Sequence, residues 1–382
     1  MGSQISLTSI GTEFPAIPII DIRDGGPVRH AQERSLQAGR LRDDCLAFFP
    51  RAAAPLVPVL DAVVRRWLAQ SHSPYVAEIT QIAATLNLSG VWMLNGSYQW
   101  GCTSLAREEG GVPWLARTLD WPFAGLGRYA EVAHMLGGSG DYFSITWPGY
   151  VGVLTAMAPG RFAACINQAP MWRRTQHPWL RVYDHAANAV HTWTKIRHIP
   201  PDQLLRQTFE VCDTYRAARH MLEMTPVARP VIYTLIGCES DERCVIERCE
   251  DSFVTREDET SAANDWLPSR PQWEGRIAAK HLLTKSFADA ASQSRARREA
   301  LADRCGLVSD GHFDWVTPPV LNPYTRLAAV MNPRDGILRV TGYEVTNSDL
   351  PQPVTEVCLV GRGEPDVPAD LICEYDNDRY AQ

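Results

Sequence analysis

The sequence lacks the features that mark several large classes of protein. No stretch is apolar over the roughly 18 residues that a membrane-spanning helix needs, so no such helix is predicted. The 382 residues carry a net charge of -7 and no basic patch suited to phosphate backbones, which argues against nucleic-acid binding. The segment MGSQISLTSIGTEFPAIPII has no basic n-region, no clean apolar stretch and no small-residue cleavage site. A secretory signal is therefore not predicted, and a cytoplasmic protein is expected.

Common metal-binding and catalytic motifs are also missing. No CxxC pair, HExxH, P-loop, GxGxxG or GxSxG occurs, and no histidine lies in a recognisable motif. The closest cysteines, Cys238, Cys244 and Cys249, have five and four intervening residues and no nearby histidine, which is poor spacing for zinc. VIYTLIG and CVIERC around them fit the strands of a β-hairpin better. Structural, reduced thiols are expected there, and no metal or cofactor is predicted.

Helical periodicity is strong in the first hundred residues. PLVPVLDAVVRRWLAQ and SPYVAEITQIAATLNLS each predict an amphipathic helix. Packing against the rest of the protein is the expected role of these helices, and peripheral contact with a membrane surface is the alternative. The apolar stripe of the first consists of Leu56, Val59, Leu60, Val63, Val64, Trp67 and Leu68, and that of the second of Val76, Ile79, Ile82, Ala83 and Leu86.

The pattern changes after Gly101. Short apolar runs separated by turn residues predict strands, and the Pro159-Gly160 pair predicts a hairpin between two of them. Helical blocks return from about residue 179 to 224 and again before residue 305, with strands between and after them. These blocks predict helices layered around stacked sheets. The natural division is into 1–101, a helical N-terminal segment, and 102–382, a catalytic domain.

The segment QWGCTSLAREEGGVPWLARTLDW contains the most informative residue, Cys102. A thiol nucleophile needs a base, because the thiolate is the attacking form. If the bond between Gly101 and Cys102 is cut, Cys102 gains a free α-amine with a pKa of roughly 7.7 to 8.0. Such an amine is a suitable general base near neutral pH. One residue would then carry both the nucleophile and its base, as in N-terminal threonine enzymes.

An arginine and an aspartate follow in the same segment. Arg117 would favour the thiolate and hold substrate, and Asp120 would hold and orient the α-ammonium. By itself, an Arg-x-x-Asp pattern is more typical of a surface pair. The residues alone therefore leave both interpretations open.

NLSGVWMLNGSYQWGCTSLAREEGGVPWLARTLDW resembles the processing region of the acid ceramidase and N-acylethanolamine acid amidase family. This family is in the choloylglycine hydrolase branch of the N-terminal nucleophile hydrolases. Further family-like segments span most of residues 14 to 340, among them GYVGVLTAMAPGRFAACINQAP, SAANDWLPSRPQWEGR and TPPVLNPYTRLAAVMNP. The resemblance implies an α+β fold, a four-layer αββα sandwich of the N-terminal nucleophile hydrolase type with a helical N-terminal segment.

The resemblance also implies roles for particular residues. Self-cleavage would fall between Gly101 and Cys102, with Cys102 as the nucleophile. The other implied catalytic residues are Arg117, Asp120, Asn264 as side-chain donor to the oxyanion, and Arg276 as a later active-site arginine. Candidates for contact with the substrate or the oxyanion are Asn167, Gln168, Tyr150 and Trp121.

The chain departs from the family pattern in two places. Gln168 stands where the family usually has a glutamate, so a carboxylate is replaced by a neutral amide. The spacing from Cys102 to Arg117 is one residue shorter than usual, which suggests a residue lost from the REEGG turn.

The implied function is that of a self-processing cysteine amidohydrolase. It would cleave the linear amide bond of a fatty N-acylethanolamine or ceramide-like N-acyl amide through an acyl-thioester on Cys102, without metal or cofactor. Its two fragments would form a heterodimer. The alternatives are an acyltransferase that passes the acyl group to an amine, as in the isopenicillin N acyltransferase relatives, and an acylase of penicillin V, bile salts or acyl-homoserine lactones. A non-catalytic, unprocessed relative is the third class.

Overall fold

The computed structural model describes residues 14–50, 55–96, 101–275, 286–304, 313–346 and 348–361. The helices in these ranges are α1 (Gly26–Glu33), α2 (Ser35–Ala47), α3 (Val57–Leu68), α4 (Val76–Leu86), α5 (Val91–Gly96), α6 (Arg181–Lys195), α7 (Pro201–Val211), α8 (Tyr215–Met224) and α9 (Phe287–Ala302).

The strands of the described ranges are β1 (Ile19–Asp21), β2 (Gly101–Glu109), β3 (Val112–Asp120), β4 (Glu131–Gly137), β5 (Gly140–Thr146), β6 (Thr155–Ala158), β7 (Phe162–Gln168), β8 (Met171–Trp172), β9 (Val231–Ile236), β10 (Arg243–Arg248), β11 (Phe253–Arg256), β12 (Ser261–Ala262), β13 (Trp273–Glu274), β14 (Thr325–Asn332), β15 (Ile337–Glu344), β16 (Gln352–Pro353) and β17 (Cys358–Val360).

Two large sheets form the body of the protein. The first has eight strands in the order β1-β4-β5-β6-β7-β9-β10-β11, and the second has seven, in the order β12-β2-β3-β14-β15-β16 with β17 also paired to β15. Strand β2 of the second sheet packs across the interior against β7 and β9 of the first. Strands β7 and β9 are buried along nearly their whole length, as expected for strands covered on both faces.

Helices cover the outer faces of both sheets. On the first sheet, α7 packs on β4, and α8 packs on β9 and β10, while α9 packs on β2 and β12 of the second sheet. The order of layers is therefore helix, sheet, sheet, helix. The four-layer αββα sandwich of the α+β class, implied by the resemblance, is confirmed.

Helices α1 to α5 make up most of the described part of the N-terminal segment. Helices α1, α3, α4 and α5 contribute to a small hydrophobic core that includes Val64, Trp67 and Ile79, and that also contains Val151 and Ile196 from beyond the segment. The segment is not wholly helical, because β1 adds a parallel edge strand beside β4 of the first sheet. A three-residue strand carries too little periodic signal to be read from the sequence. The division at 101/102 stays a prediction.

Helix α3 lies where periodicity predicts it, but only part of its apolar stripe is buried. Its buried face includes Val64 and Trp67, whereas Leu56, Val59 and Val63 are 56%, 59% and 37% exposed. The predicted single buried stripe is therefore wrong for these three. Seven apolar residues in thirteen positions occupy too wide an arc for one packed face, and the side that meets α5 takes the core positions.

Helix α3 has an exposed apolar face. Contact with a membrane surface through the N-terminal helices stays a prediction. Among the helices in the described ranges, none combines the length and the hydrophobicity needed to cross a bilayer.

Both predicted hairpins are present. Strands β6 and β7 are joined by Pro159-Gly160, where Gly160 has a φ of 72° that favours glycine. Strands β9 and β10 form the second hairpin, and Cys238, Cys244 and Cys249 form no disulfide within the described residues.

Candidate active site

A two-residue hairpin brings the predicted nucleophile and its partners together. Strands β2 and β3 are connected by Gly110 and Gly111, both with positive φ, as the tightest hairpin turns require. In the resulting register, Gly101 lies opposite Asp120. The shortened REEGG turn is thus the tight turn of this hairpin.

Arg117 contacts the Cys102 thiol directly. Both side chains are fully buried, and Nη2 of Arg117 lies 2.7 Å from Sγ of Cys102. The guanidinium is held in place by Nη1, which donates to the Leu154 carbonyl at 2.8 Å and to the Thr155 hydroxyl. A fixed cation beside a buried sulfur stabilises the thiolate form. The surface-pair interpretation of Arg117 is therefore wrong.

Asp120 is almost completely buried and is held by three donors. Its Oδ2 accepts from Arg297 Nη1 and from Asn322 Nδ2, each at 2.8 Å, and its Oδ1 accepts from Thr325 Oγ1 at 3.0 Å. The Cys102 nitrogen donates instead to the side chain of Asn264. A contact between Asp120 and the α-amine that cleavage would release stays a prediction.

Asn264 follows β12 and is fully buried next to Cys102. Its Oδ1 accepts from the Cys102 nitrogen at 3.1 Å and from Arg297 Nη2 at 2.7 Å. Its Nδ2 donates to the Gln168 carbonyl at 2.8 Å. The amide donor is thus occupied by a backbone oxygen in this state, and its role toward an oxyanion stays a prediction.

Arg297 is a site residue that the sequence analysis missed. It projects from α9 and links Asp120 to Asn264, and its Nη1 also lies 3.3 Å from the Cys102 carbonyl oxygen. The surrounding QSRARREA has the composition of a solvent-exposed helix, so nothing in it singles out one arginine. Arg276, the predicted later arginine, lies outside the described residues.

Two of the four contact candidates lie at the end of β7. Asn167 is fully buried and donates from Nδ2 to Ser104 Oγ at 3.0 Å and to the Ala262 carbonyl at 3.2 Å. Gln168 is tied to Asn264 through its carbonyl, and its side-chain Oε1 is buried without a partner among the described residues. The structure therefore brings both residues to the neighbourhood of Asn264.

The other two candidates lie in different surroundings. The Tyr150 hydroxyl donates to Oδ2 of Asp202 at 2.7 Å. Burial raises the pKa of Asp202 to about 6, and the bond from Tyr150 opposes that rise. Trp121 follows Asp120 directly and lines an apolar cavity.

The apolar cavity lies between the N-terminal helices and the loop after β3. Ring contacts connect Trp121 to Phe123 and Phe123 to Phe49, at centroid distances of 5.9 Å and 5.6 Å. Burial raises the pKa of the Cys45 thiol in its wall to about 12, which makes this thiol unreactive. The lining comprises Ala38, Leu41, Arg42, Cys45, Leu46, Phe49, Val57, Leu86, Leu88, Gly90, Val91, Met93, Leu94, Trp121, Phe123, Leu126, Pro148 and Gly149.

The solved structures that align with this chain do so at low sequence identity and with TM-scores below 0.5. A Caenorhabditis elegans ortholog of N-acylethanolamine-hydrolyzing acid amidase is 18% identical, with a TM-score of 0.44 over 61% of this chain and 92% of that one. A mutant conjugated bile acid hydrolase from Clostridium perfringens is 10% identical, with a TM-score of 0.39 over 68% of this chain and 92% of that one. No protein-family model matches the sequence.

Curated relatives are more similar in sequence. N-acylethanolamine-hydrolyzing acid amidase of Oryctolagus cuniculus is 29% identical over 186 residues, which is 47% of this chain and 48% of that protein. The enzyme of the same name from Cavia porcellus is 28% identical over 248 residues, 61% of this chain and 66% of that protein. The chain thus spans about half to two thirds of the length of the curated relatives it matches. The resemblance indicated by the segments around Cys102 is confirmed, because the chain is similar in sequence to the N-acylethanolamine-hydrolyzing acid amidases.

Proposed function

We propose that this protein is a self-processing cysteine amidohydrolase that cleaves the linear amide bond of an N-acyl amide with an apolar acyl chain. The observation that carries the proposal is the 2.7 Å contact between Arg117 Nη2 and the buried Sγ of Cys102, directly after Gly101. The names of the curated relatives support amide hydrolysis as the reaction.

Processing begins in the uncut chain. The Cys102 thiol attacks the Gly101 carbonyl, the bond from that carbon to the Cys102 nitrogen breaks, and the nitrogen takes up the thiol proton. Water then hydrolyses the thioester and leaves a carboxylate on Gly101. The hydrogen bond from the Cys102 nitrogen to Asn264 Oδ1 fixes the leaving nitrogen at the start of this step. Glycine suits the position because it tolerates a strained backbone.

Turnover uses the same cysteine in its free form. The α-amine accepts the thiol proton, the thiolate attacks the substrate carbonyl, and the amine product leaves with a proton as the acyl-thioester forms. Water hydrolyses that thioester. Asn264 Nδ2 would stabilise the oxyanion after it exchanges the Gln168 carbonyl for the substrate oxygen, an effect worth about 3 to 4 kcal/mol per donor.

The apolar cavity supports a fatty acyl group as the acid part of the substrate. The cavity wall begins one residue from the site in the chain, because Trp121 follows Asp120 and forms part of that wall. Each methylene buried there contributes about 0.8 kcal/mol to binding. We therefore expect a fatty N-acylethanolamine or a ceramide-like amide, and the names of the relatives support the N-acylethanolamine.

The two fragments are expected to remain together as a heterodimer after the cut. His30 and Arg34 of the N-terminal segment both bind the buried Glu131 of β4, at 2.5 Å and 2.7 Å. Asn95 of α5 donates to the Gly149 carbonyl and accepts from the Val151 nitrogen. These contacts cross the proposed boundary and need no covalent link. Membrane contact and a cytoplasmic location stay predictions of the sequence.

The test is an assay of purified protein on N-acylethanolamines of increasing acyl length, with Cys102→Ala as control. The proposal expects release of fatty acid and ethanolamine in water by the wild-type protein alone, with a preference for long chains. Product that forms only when an amine acceptor is added would show an acyltransferase instead. Activity equal in the wild type and in Cys102→Ala would overturn the proposed role of the cysteine. An uncut and inactive wild-type chain would favour the non-catalytic class.

A further inference from the structure

The segment from Asn322 to Thr325 resembles the family in sequence but has no role so far in the mechanism. It forms a closed turn, in which the Thr325 nitrogen donates to the Asn322 carbonyl at 2.9 Å. The Asn322 nitrogen donates to Thr325 Oγ1 at 3.1 Å, and the Tyr324 nitrogen to Asn322 Oδ1 at 3.1 Å. The backbone of the turn thus fixes both polar side chains.

Both side chains point at the carboxylate of Asp120. Asn322 Nδ2 donates to one oxygen at 2.8 Å and Thr325 Oγ1 donates to the other at 3.0 Å. One turn therefore binds both ends of the carboxylate and restricts its rotation. Arg297 supplies the charge on a single oxygen, which by itself would leave the plane of the carboxylate free to turn.

An irregularity in strand pairing places Thr325 there. Thr325 lies opposite Asp120, whereas Leu327 lies opposite Leu119, so the register shifts by one residue at Arg326. Such bulges are common next to active sites, where they redirect a side chain. Arg326 is itself anchored, because its Nε donates to the Phe123 carbonyl at 2.7 Å.

We propose that Asn322 and Thr325 are positioning residues for the cysteine reaction, which hold the Asp120 carboxylate beside the nitrogen of Cys102. The inference rests on the proposed function. Asp120 lies opposite Gly101 in the strand pairing, and Arg297 Nη1 bonds both Asp120 Oδ2, at 2.8 Å, and the Cys102 carbonyl oxygen, at 3.3 Å. One guanidinium nitrogen thus links the carboxylate to the residue whose α-amine the cut would release. A carboxylate that turned freely would hold that amine in the wrong direction for proton transfer from the thiol.

The matched variants are Thr325→Val and Thr325→Ser. Valine has nearly the shape of threonine but cannot donate to Asp120, whereas serine keeps the hydroxyl. We expect Thr325→Val to lower kcat by about tenfold, the size of one lost hydrogen bond to a charged group, with KM near that of the wild type. Thr325→Ser should recover most of the loss. Rates are normalised to the fraction of chains that an alkylating reagent labels at Cys102, read by peptide mass spectrometry, so a misfolded fraction does not lower them.

A second variant, Asn322→Leu, covers the case in which Thr325→Val does not fold. Leucine has about the volume of asparagine but cannot donate to Asp120 Oδ2. We expect kcat to fall by about tenfold with KM near that of the wild type, because a hydrogen bond to the charged carboxylate is lost. A folded Asn322→Leu with the wild-type kcat would overturn the positioning role.

The outcomes separate this inference from the proposed function. Wild-type protein that neither cuts itself nor hydrolyses amides would overturn both. An active wild type, with Thr325→Val equal to it in kcat per reactive thiol, would overturn only the positioning role. Equal losses in Thr325→Val and Thr325→Ser would also overturn it, because they would show a packing effect instead of a lost hydroxyl.

Discussion

The site around Cys102 and the ion cluster between α6 and β13 both bury arginines, but they balance their charge differently. In the ion cluster, Arg173 binds Asp184 and Glu274, and Arg181 binds Glu274 through two nitrogens. Two guanidinium groups therefore meet two carboxylates.

In the site, Arg297 pairs with Asp120, but the second arginine, Arg117, is paired differently. Its described hydrogen-bond partners are a carbonyl, a hydroxyl and the thiol of Cys102. A cluster that neutralises itself stabilises the fold, whereas one with a surplus cation can stabilise an anion that forms during a reaction. The comparison thus supports the proposal that the chemistry takes place at Cys102.

The largest effect is expected from removal of the Cys102 thiol, which the Arg117 guanidinium contacts. Cys102→Ala should abolish both self-cleavage and amide hydrolysis, because the same sulfur attacks in each. The matched control is Cys165→Ala, a fully buried thiol whose pKa is raised by burial. Intact-mass spectrometry and the hydrolysis assay measure both. A Cys102→Ala chain that still matures into two fragments would contradict the assignment of the reaction to the site around Cys102.

The next effect comes from removing the surplus cation itself. Arg117→Met should lower kcat/KM by about 1000-fold, the upper range for loss of one preorganised electrostatic donor. Thermal stability should change little, because Arg117 has no carboxylate partner among the described residues, so an apolar replacement costs no ion pair there. Enzyme kinetics and thermal melting of the same preparation test this. A large loss of stability with unchanged kcat would place Arg117 with the structural arginines.

The ion cluster should respond in the opposite way. Asp184→Asn leaves Arg173 with one carboxylate fewer in a buried position and should lower the free energy of unfolding by about 3 kcal/mol. Its kcat per reactive thiol should stay at the wild-type value. Urea unfolding and thiol-normalised kinetics separate the two effects. A strong loss of kcat in folded protein would mean that the cluster takes part in the reaction.

The smallest effect concerns Asp202, a buried carboxylate that is bonded to the neutral hydroxyl of Tyr150. Burial raises its pKa to about 6, above the value of about 3.9 expected in the unfolded chain. The folded state therefore binds this proton more tightly, and the stability it contributes is lost as the pH rises from about 4 to about 6.

Asp202→Asn removes this titration. Its melting temperature relative to the wild type should be higher at about pH 7.5 than at about pH 5. Thermal melting at both values measures the difference. A relative melting temperature that does not change with pH would contradict the prediction.

Much of the site could be predicted from one hairpin. The period of the strands and the Gly110-Gly111 pair indicate the turn, and the turn sets the register that brings Arg117 and Asp120 to Cys102. The resemblance adds Asn264, which is distant in sequence but bonds to the Cys102 nitrogen. These features depend on local pattern or on a segment that resembles known relatives.

The rest depends on packing that the sequence does not reveal. Arg297 lies on a helix whose polar composition indicates solvent on every side, yet its guanidinium reaches Asp120 and Asn264. The exposed face of α3 could not be distinguished from its buried face, because apolar residues occupy both. The bulge at Arg326, which directs Thr325 at Asp120, has no local signal in an apolar strand.

The central claim is that Cys102 becomes the first residue of the active chain. The most direct measurement is mass spectrometry of the N-termini in purified protein that hydrolyses amides. The account predicts two associated fragments, one of which begins at Cys102. Active protein in which the bond between Gly101 and Cys102 is intact would contradict it.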